Sequence, residues 1–157
     1  MTEITQSIIV PAPVTDLFDR ADELLATLLA QDHANDGLSL SIRQTSPGPL
    51  GLGTTFRAVV RAGGLPLGVE LRCTEYVSPQ RVTVQSANDL PLAVTLEFQP
   101  HPDGGALVTT RLRYEPPPGI AGVLFQTFAP PAKLEQTMRR GLERLQGHFA
   151  AARPAQP

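Results

Sequence analysis

Glu75 follows Leu71 and Cys73 at two-residue spacing, and Tyr114 follows Leu112 in the same way. In a strand, residues two apart share a face, so both polar groups are expected on faces that are otherwise apolar. A carboxylate held there has its pKa raised by desolvation and can act as a general acid or base. The competing reading places Glu75 at a strand end, reaching water. Tyr114 can hydrogen-bond a ligand from a pocket wall, or be a core residue with its hydroxyl at the surface. Thr110 and Ser86 are also polar positions on apolar faces. Both suit ligand contacts, and both can instead satisfy themselves on backbone groups.

Other chemistries find less support. Gly51-x-Gly53 has the look of a phosphate loop, but such a loop must open a helix whose N-terminus meets the anion. Here Thr54-Thr55-Phe56-Arg57-Ala58-Val59-Val60-Arg61 follows, a β-branched alternating run that reads as a strand. The two glycines are therefore expected in a turn. His33 shares a polar loop with Asp32, Asn35 and Asp36, while His101 and His148 lie far along the chain, so no metal site is expected. Cys73 lies on an apolar face with nothing nearby to hold a thiolate, and reads as inert core. No Gly-x-Ser-x-Gly elbow supports a hydrolase triad. No cofactor is expected.

The elements that must position these residues are well punctuated. Ile4–Val10 reads as a strand stopped by Pro11 and Pro13. Val14–Phe18 allows one helical turn, and Arg20–Ala30 is apolar at helical spacing, giving two short helices before Leu38, Leu40 and Ile42 begin a second strand. Five more alternating runs follow, joined by Gly63-Gly64, Ser78-Pro79-Gln80, Ala87–Leu90 and the hairpin signal His101-Pro102-Asp103-Gly104-Gly105. Ile120–Phe128 is apolar and loosely periodic. After Pro130-Pro131, Leu134, Met138, Leu142, Leu145 and Phe149 form one helical stripe. A sheet with one apolar face must be covered, and this last helix is the expected cover. A curved sheet around one helix leaves room for a cavity.

The chain has 157 residues, 41% hydrophobic and 18% charged, with formal charge −2. That suits one globular domain, here residues 1–150 with a loose tail at 151–157, and gives no general attraction for nucleic acid. One cysteine excludes an internal disulfide framework. No run is long enough to span a membrane, and Met1–Ser7 lacks a signal pattern, so the expected location is cytoplasmic. Lys133, Arg139, Arg140, Arg144 and Arg153 outnumber Glu135 and Glu143 on the last helix. They read as a solvated face, with membrane contact at most peripheral.

Five stretches, "IIVPAPVTDLFD", "GPLGLGTTFR", "LRCTEYVSPQRV", "LEFQPHPDGGALVTTRLRYE" and "LEQTMRRGLERLQGHF", together span almost the whole chain. In that order the sequence resembles the START-like (SRPBCC, helix-grip) superfamily, in its bacterial polyketide cyclase/dehydrase and lipid-transport-like branch. The resemblance implies an α+β fold: a seven-stranded curved antiparallel sheet gripping a long C-terminal helix over a hydrophobic pocket. It implies no single chemistry, since the superfamily includes cyclases, lipid carriers, receptors and partner-binding proteins. The first expectation is binding or transport of a small hydrophobic ligand: a lipid, isoprenoid or polyketide-like ring. Its lining would be Leu67, Val69, Leu71, Cys73, Val94, Leu96, Thr110, Leu112, Leu134, Met138 and Leu142. The second is a cyclase or dehydratase using Glu75 or Tyr114. The third is an interaction module whose groove takes a partner helix. No nucleic-acid partner is expected, and the chain is taken as a monomer or homodimer.

Overall fold

The computed structural model describes residues 2–20, 38–62, 65–86, 91–102, 104–116, 118–128 and 130–152. Seven strands make one antiparallel sheet: β1 (Thr2–Val10), β2 (Leu38–Gln44), β3 (Thr55–Ala62), β4 (Leu65–Val77), β5 (Arg81–Ser86), β6 (Leu92–Pro100) and β7 (Ala106–Tyr114). Their order across the sheet is β1-β7-β6-β5-β4-β3-β2. Three helices are described: α1 (Val14–Phe18), α2 (Gly119–Phe128) and α3 (Pro131–Ala152). The second predicted helix, Arg20–Ala30, lies outside the described residues apart from Arg20, as do the Gly63-Gly64 and Ala87–Leu90 turns and the loop with His33.

Alternation decides which side of the sheet is dry. Ile4, Val10, Phe56, Ala58, Val69, Leu71, Val82, Val84, Val94, Leu96, Phe98 and Val108 are buried and in phase across the ladders. They form the inner face. α3 covers it with Leu134, Thr137, Met138, Leu142 and Leu145. That is the predicted stripe as far as Leu145, with Thr137 added; the side chain of Phe149 lies outside the described residues. The Thr137 hydroxyl is donated to the Lys133 carbonyl at 2.9 Å. α3 runs beside β1 in the same direction. Leu134 shares a cluster with Ile4, Arg139 reaches the Gln6 side chain at 3.2 Å, and Gln146 donates to the Ile9 carbonyl at 2.7 Å.

The sheet is a curled half-barrel, and Val60 of β3 and Leu112 of β7 pack on the same cluster although three strands separate theirs. α1 closes one end: Phe18 sits 5.8 Å from Phe98 edge-to-face and 4.9 Å from Tyr76, a favourable aromatic arrangement.

The Gly51-x-Gly53 stretch is a turn. Gly53 has φ +88°, a conformation glycine adopts without steric cost. Its N–H is donated to the Cys73 carbonyl at 2.9 Å, and Gly51 N–H goes to Thr54 Oγ1 at 2.9 Å. The Gly53 amide extends the β3–β4 pairing and the Gly51 amide closes the turn on itself, so neither is presented to an anion. The His101–Gly105 turn closes as predicted, with His101 N–H donated to Gly105 O at 2.9 Å and Gly104 at φ +91°.

Candidate site on the inner sheet face

Every predicted lining residue lies on the inner face or on the α3 stripe. Val69, Leu71, Cys73, Val94, Leu96, Thr110, Leu134, Met138 and Leu142 are buried, while Leu67 and Leu112 are half-buried. Most of them fall into two clusters. The larger holds Val69, Leu71, Cys73, Val94, Leu96 and Leu142; the smaller holds Ile4, Tyr114, Leu134 and Met138. Leu112 and Leu92 pack against both, and Val60 against the smaller. Val60, Leu67, Leu92 and Leu112 are half-buried, and three of them, Val60, Leu92 and Leu112, pack against the smaller cluster that holds Leu134 and Met138 of α3. Val60 and Leu92 were absent from the predicted lining. Their phase with Ala58 and with Val94 was the available signal.

Thr110 is 2% exposed, and among the described residues its hydroxyl has no hydrogen-bond partner. It pairs in register with Leu96 on one side and Gln6 on the other. An unpaired buried hydroxyl costs roughly 1–3 kcal/mol. Gln6, in phase with Ile4 and Ile8, is another inward polar residue. Its side chain is already engaged by Arg139. Ser86 satisfies itself: its hydroxyl accepts the Leu92 N–H at 3.3 Å.

Glu75 does not follow Cys73 inward. The β4–β5 register shifts between Cys73 and Glu75, so that Cys73 faces Val84 and Glu75 faces Thr83. A bulge of this kind adds one residue to one strand and switches the faces beyond it. Glu75 thus lies on the outer face. There it accepts from Thr83 Oγ1 at 3.1 Å and pairs with Arg81 at 3.4 Å, its side chain 41% exposed. The expectation of an inward, desolvated carboxylate is corrected by this geometry.

Tyr114 does point inward. It is buried beside Leu134 and Met138, and burial pushes its hydroxyl pKa up, against a smaller opposing effect of the hydrogen bond with Thr2. It is a neutral phenol at physiological pH, a donor and not a base. Burial likewise pushes the Cys73 thiol up, against a smaller lowering by a hydrogen bond with the Glu75 backbone; the thiol itself donates to the Glu75 carbonyl at 3.4 Å. A protonated, buried thiol is a poor nucleophile. Among the described residues no three His, Cys, Asp or Glu side chains gather as metal ligands, and no helix is long and apolar enough to cross a membrane.

Solved structures share this architecture. A crystal structure from Deinococcus radiodurans aligns at 19% identity over 96% of this chain and 99% of its own, with TM-score 0.66. The KanY protein, solved by NMR, aligns at 17% identity over 95% and 97%, with TM-score 0.71. A crystal structure from Thermus thermophilus aligns at 21% identity over 97% and 100%, with TM-score 0.67. At these identities the likeness is one of fold. A search of curated proteins finds no significant match. The family model described as polyketide cyclase / dehydrase and lipid transport matches residues 1–150. With its curled seven-stranded sheet closed by a C-terminal helix, the chain belongs to that family.

Proposed function

We propose that the protein binds a small hydrophobic ligand between α3 and the inner sheet face, and carries or sequesters it without covalent chemistry. The observation that carries this reading is Thr110: a buried hydroxyl without a partner on an apolar surface. A ligand with an apolar body and one carbonyl or hydroxyl oxygen would complete it. The half-buried Val60, Leu67, Leu92 and Leu112 give that ligand its way in. Family membership supports the same ligand class. The decisive experiment is native mass spectrometry of the purified protein, with extraction and identification of any bound molecule. A ligand-free protein that also shows no melting-temperature rise with fatty acids, isoprenoid alcohols or aromatic polyketides would sink the proposal.

A second reading keeps the same site and adds a cyclisation or dehydration, with Tyr114 as proton donor. The inward, protonated phenol is what favours it. Loss of turnover in Tyr114→Phe with ligand affinity retained would establish it. The interaction-module reading draws on α2, where Ile120 and Val123 are 79% and 63% exposed.

A further inference from the structure

We infer that the outer face of β2, β3 and β4 is a docking surface for an anionic lipid bilayer. The register places Arg43 directly opposite Arg57, Arg57 opposite Glu70, and Thr55 opposite Arg72, with Arg61 on the same side of β3 beyond Val59. All four arginines are exposed. Like charges directly across a ladder are destabilising, yet Arg43 and Arg57 are so placed. Against these four arginines the stretch they occupy, which on β4 ends at Arg72, carries among the described residues one carboxylate, Glu70; Glu75, farther along β4, is paired with Arg81.

The rest of the same outer face is built differently. There Arg81 pairs with Glu75, Arg111 with Glu97 and Arg113 with Glu3, at 3.4, 3.1 and 3.8 Å. Positive charge is thus concentrated on one half of a face, in a chain whose formal charge is −2. The patch is also low. Ser41, Val59 and Gly68 lie among the arginines, and the Arg57 guanidinium crosses Gly68 so closely that a Cβ there would meet it at 2.5 Å. That lays the charge flat along the sheet.

Flat, spread-out arginines match an extended array of phosphates better than one small anion, which needs a concave site. Single-stranded nucleic acid would require aromatic side chains for stacking, and the outward positions described on β2–β4 have none. The choice of a bilayer rests on the hydrophobic-ligand reading, because a molecule of that class resides in lipid and its carrier must meet the membrane there. Basic residues near an anionic surface contribute attraction that falls off within a Debye length.

The test is co-sedimentation of the full chain with phosphatidylcholine vesicles, with and without phosphatidylglycerol. Binding is expected only with phosphatidylglycerol, weakening as salt rises. Two separate double variants, Arg43→Gln/Arg57→Gln and Arg61→Gln/Arg72→Gln, should each weaken it by roughly tenfold or more. Arg140→Gln/Arg144→Gln on α3 should change it little. Circular dichroism confirms that each variant folds. No binding to the anionic vesicles, equal binding to neutral ones, or an equal loss in the α3 variant overturns the proposal. So does displacement of the vesicles by equimolar duplex DNA or polyglutamate. Ligand-induced melting shifts, measured without vesicles, should be unchanged in the arginine variants. A wild-type protein that shows those shifts but ignores vesicles refutes the docking surface alone; one that binds vesicles but no ligand refutes the carrier reading alone.

Discussion

Thr83 Oγ1 donates to Glu75 Oε1 at 3.1 Å, across a bulge that turns Glu75 away from the face occupied by Cys73. The same hydroxyl lies 3.1 Å from Thr95 Oγ1. This chain of polar contacts on the outer face holds the carboxylate away from the apolar interior.

Glu75→Gln should therefore leave ligand affinity, and any turnover, within about twofold. The Arg81 pair is part-exposed, so stability should change by no more than about 1 kcal/mol. Denaturant unfolding and ligand titration check both. A large loss of turnover would return Glu75 to the active groups.

Thr110→Val removes a buried hydroxyl that has no partner. The ligand-free protein should be equally stable or up to about 1 kcal/mol more stable, because no hydrogen bond is lost. Affinity for an oxygen-bearing ligand should fall about tenfold, while a pure hydrocarbon should bind as before. Gly141, buried between Met138 and Leu142, offers the steric counterpart: Gly141→Leu should abolish the ligand-induced rise in melting temperature if the chain folds.

Leu142 is 1% exposed in the larger cluster. Leu142→Ala should cost roughly 2–5 kcal/mol, whereas Arg140→Ala, on the exposed side of α3, should stay within about 0.5 kcal/mol. Urea midpoints distinguish them, and equal costs would contradict the helix's orientation.

Gly53 and Gly51 separate backbone strain from packing. Neither would place a Cβ within 4 Å of other atoms, and only Gly53 has positive φ. Gly53→Ala should cost about 1–2 kcal/mol, while Gly51→Ala should be neutral or slightly stabilising. Neither substitution should create or remove nucleotide binding.

The Cys73 thiol has its pKa raised by burial. The folded state therefore holds its proton where the unfolded chain releases it. Stability should be flat below the usual thiol pKa, and fall as pH rises from there through the raised value. Cys73→Ala should flatten that part of the alkaline profile, and thiol alkylation of the native protein should be slow.

Period-two and helical spacing make the inner face, the α3 stripe and the turn at Gly51–Gly53 legible in the sequence itself, because a residue's phase within its own element is a local property. So was the helix-grip architecture, which the resemblance carried. Phase is counted residue by residue, however, and a bulge inserts one residue without changing composition. Only the pairing of β4 with β5 decides that Glu75 faces Thr83 and not the interior. The sequence likewise marks Thr110 as polar among apolar neighbours, but whether its hydroxyl finds a partner depends on chains folded around it, and there none does. The arginines of the outer patch come from three separate strands, β2, β3 and β4. Strand register alone sets Arg43 against Arg57, and the curl of the sheet alone brings Val60 and Leu112 to one cluster. Both are long-range placements, fixed by hydrogen bonding and packing between strands that local pattern cannot encode.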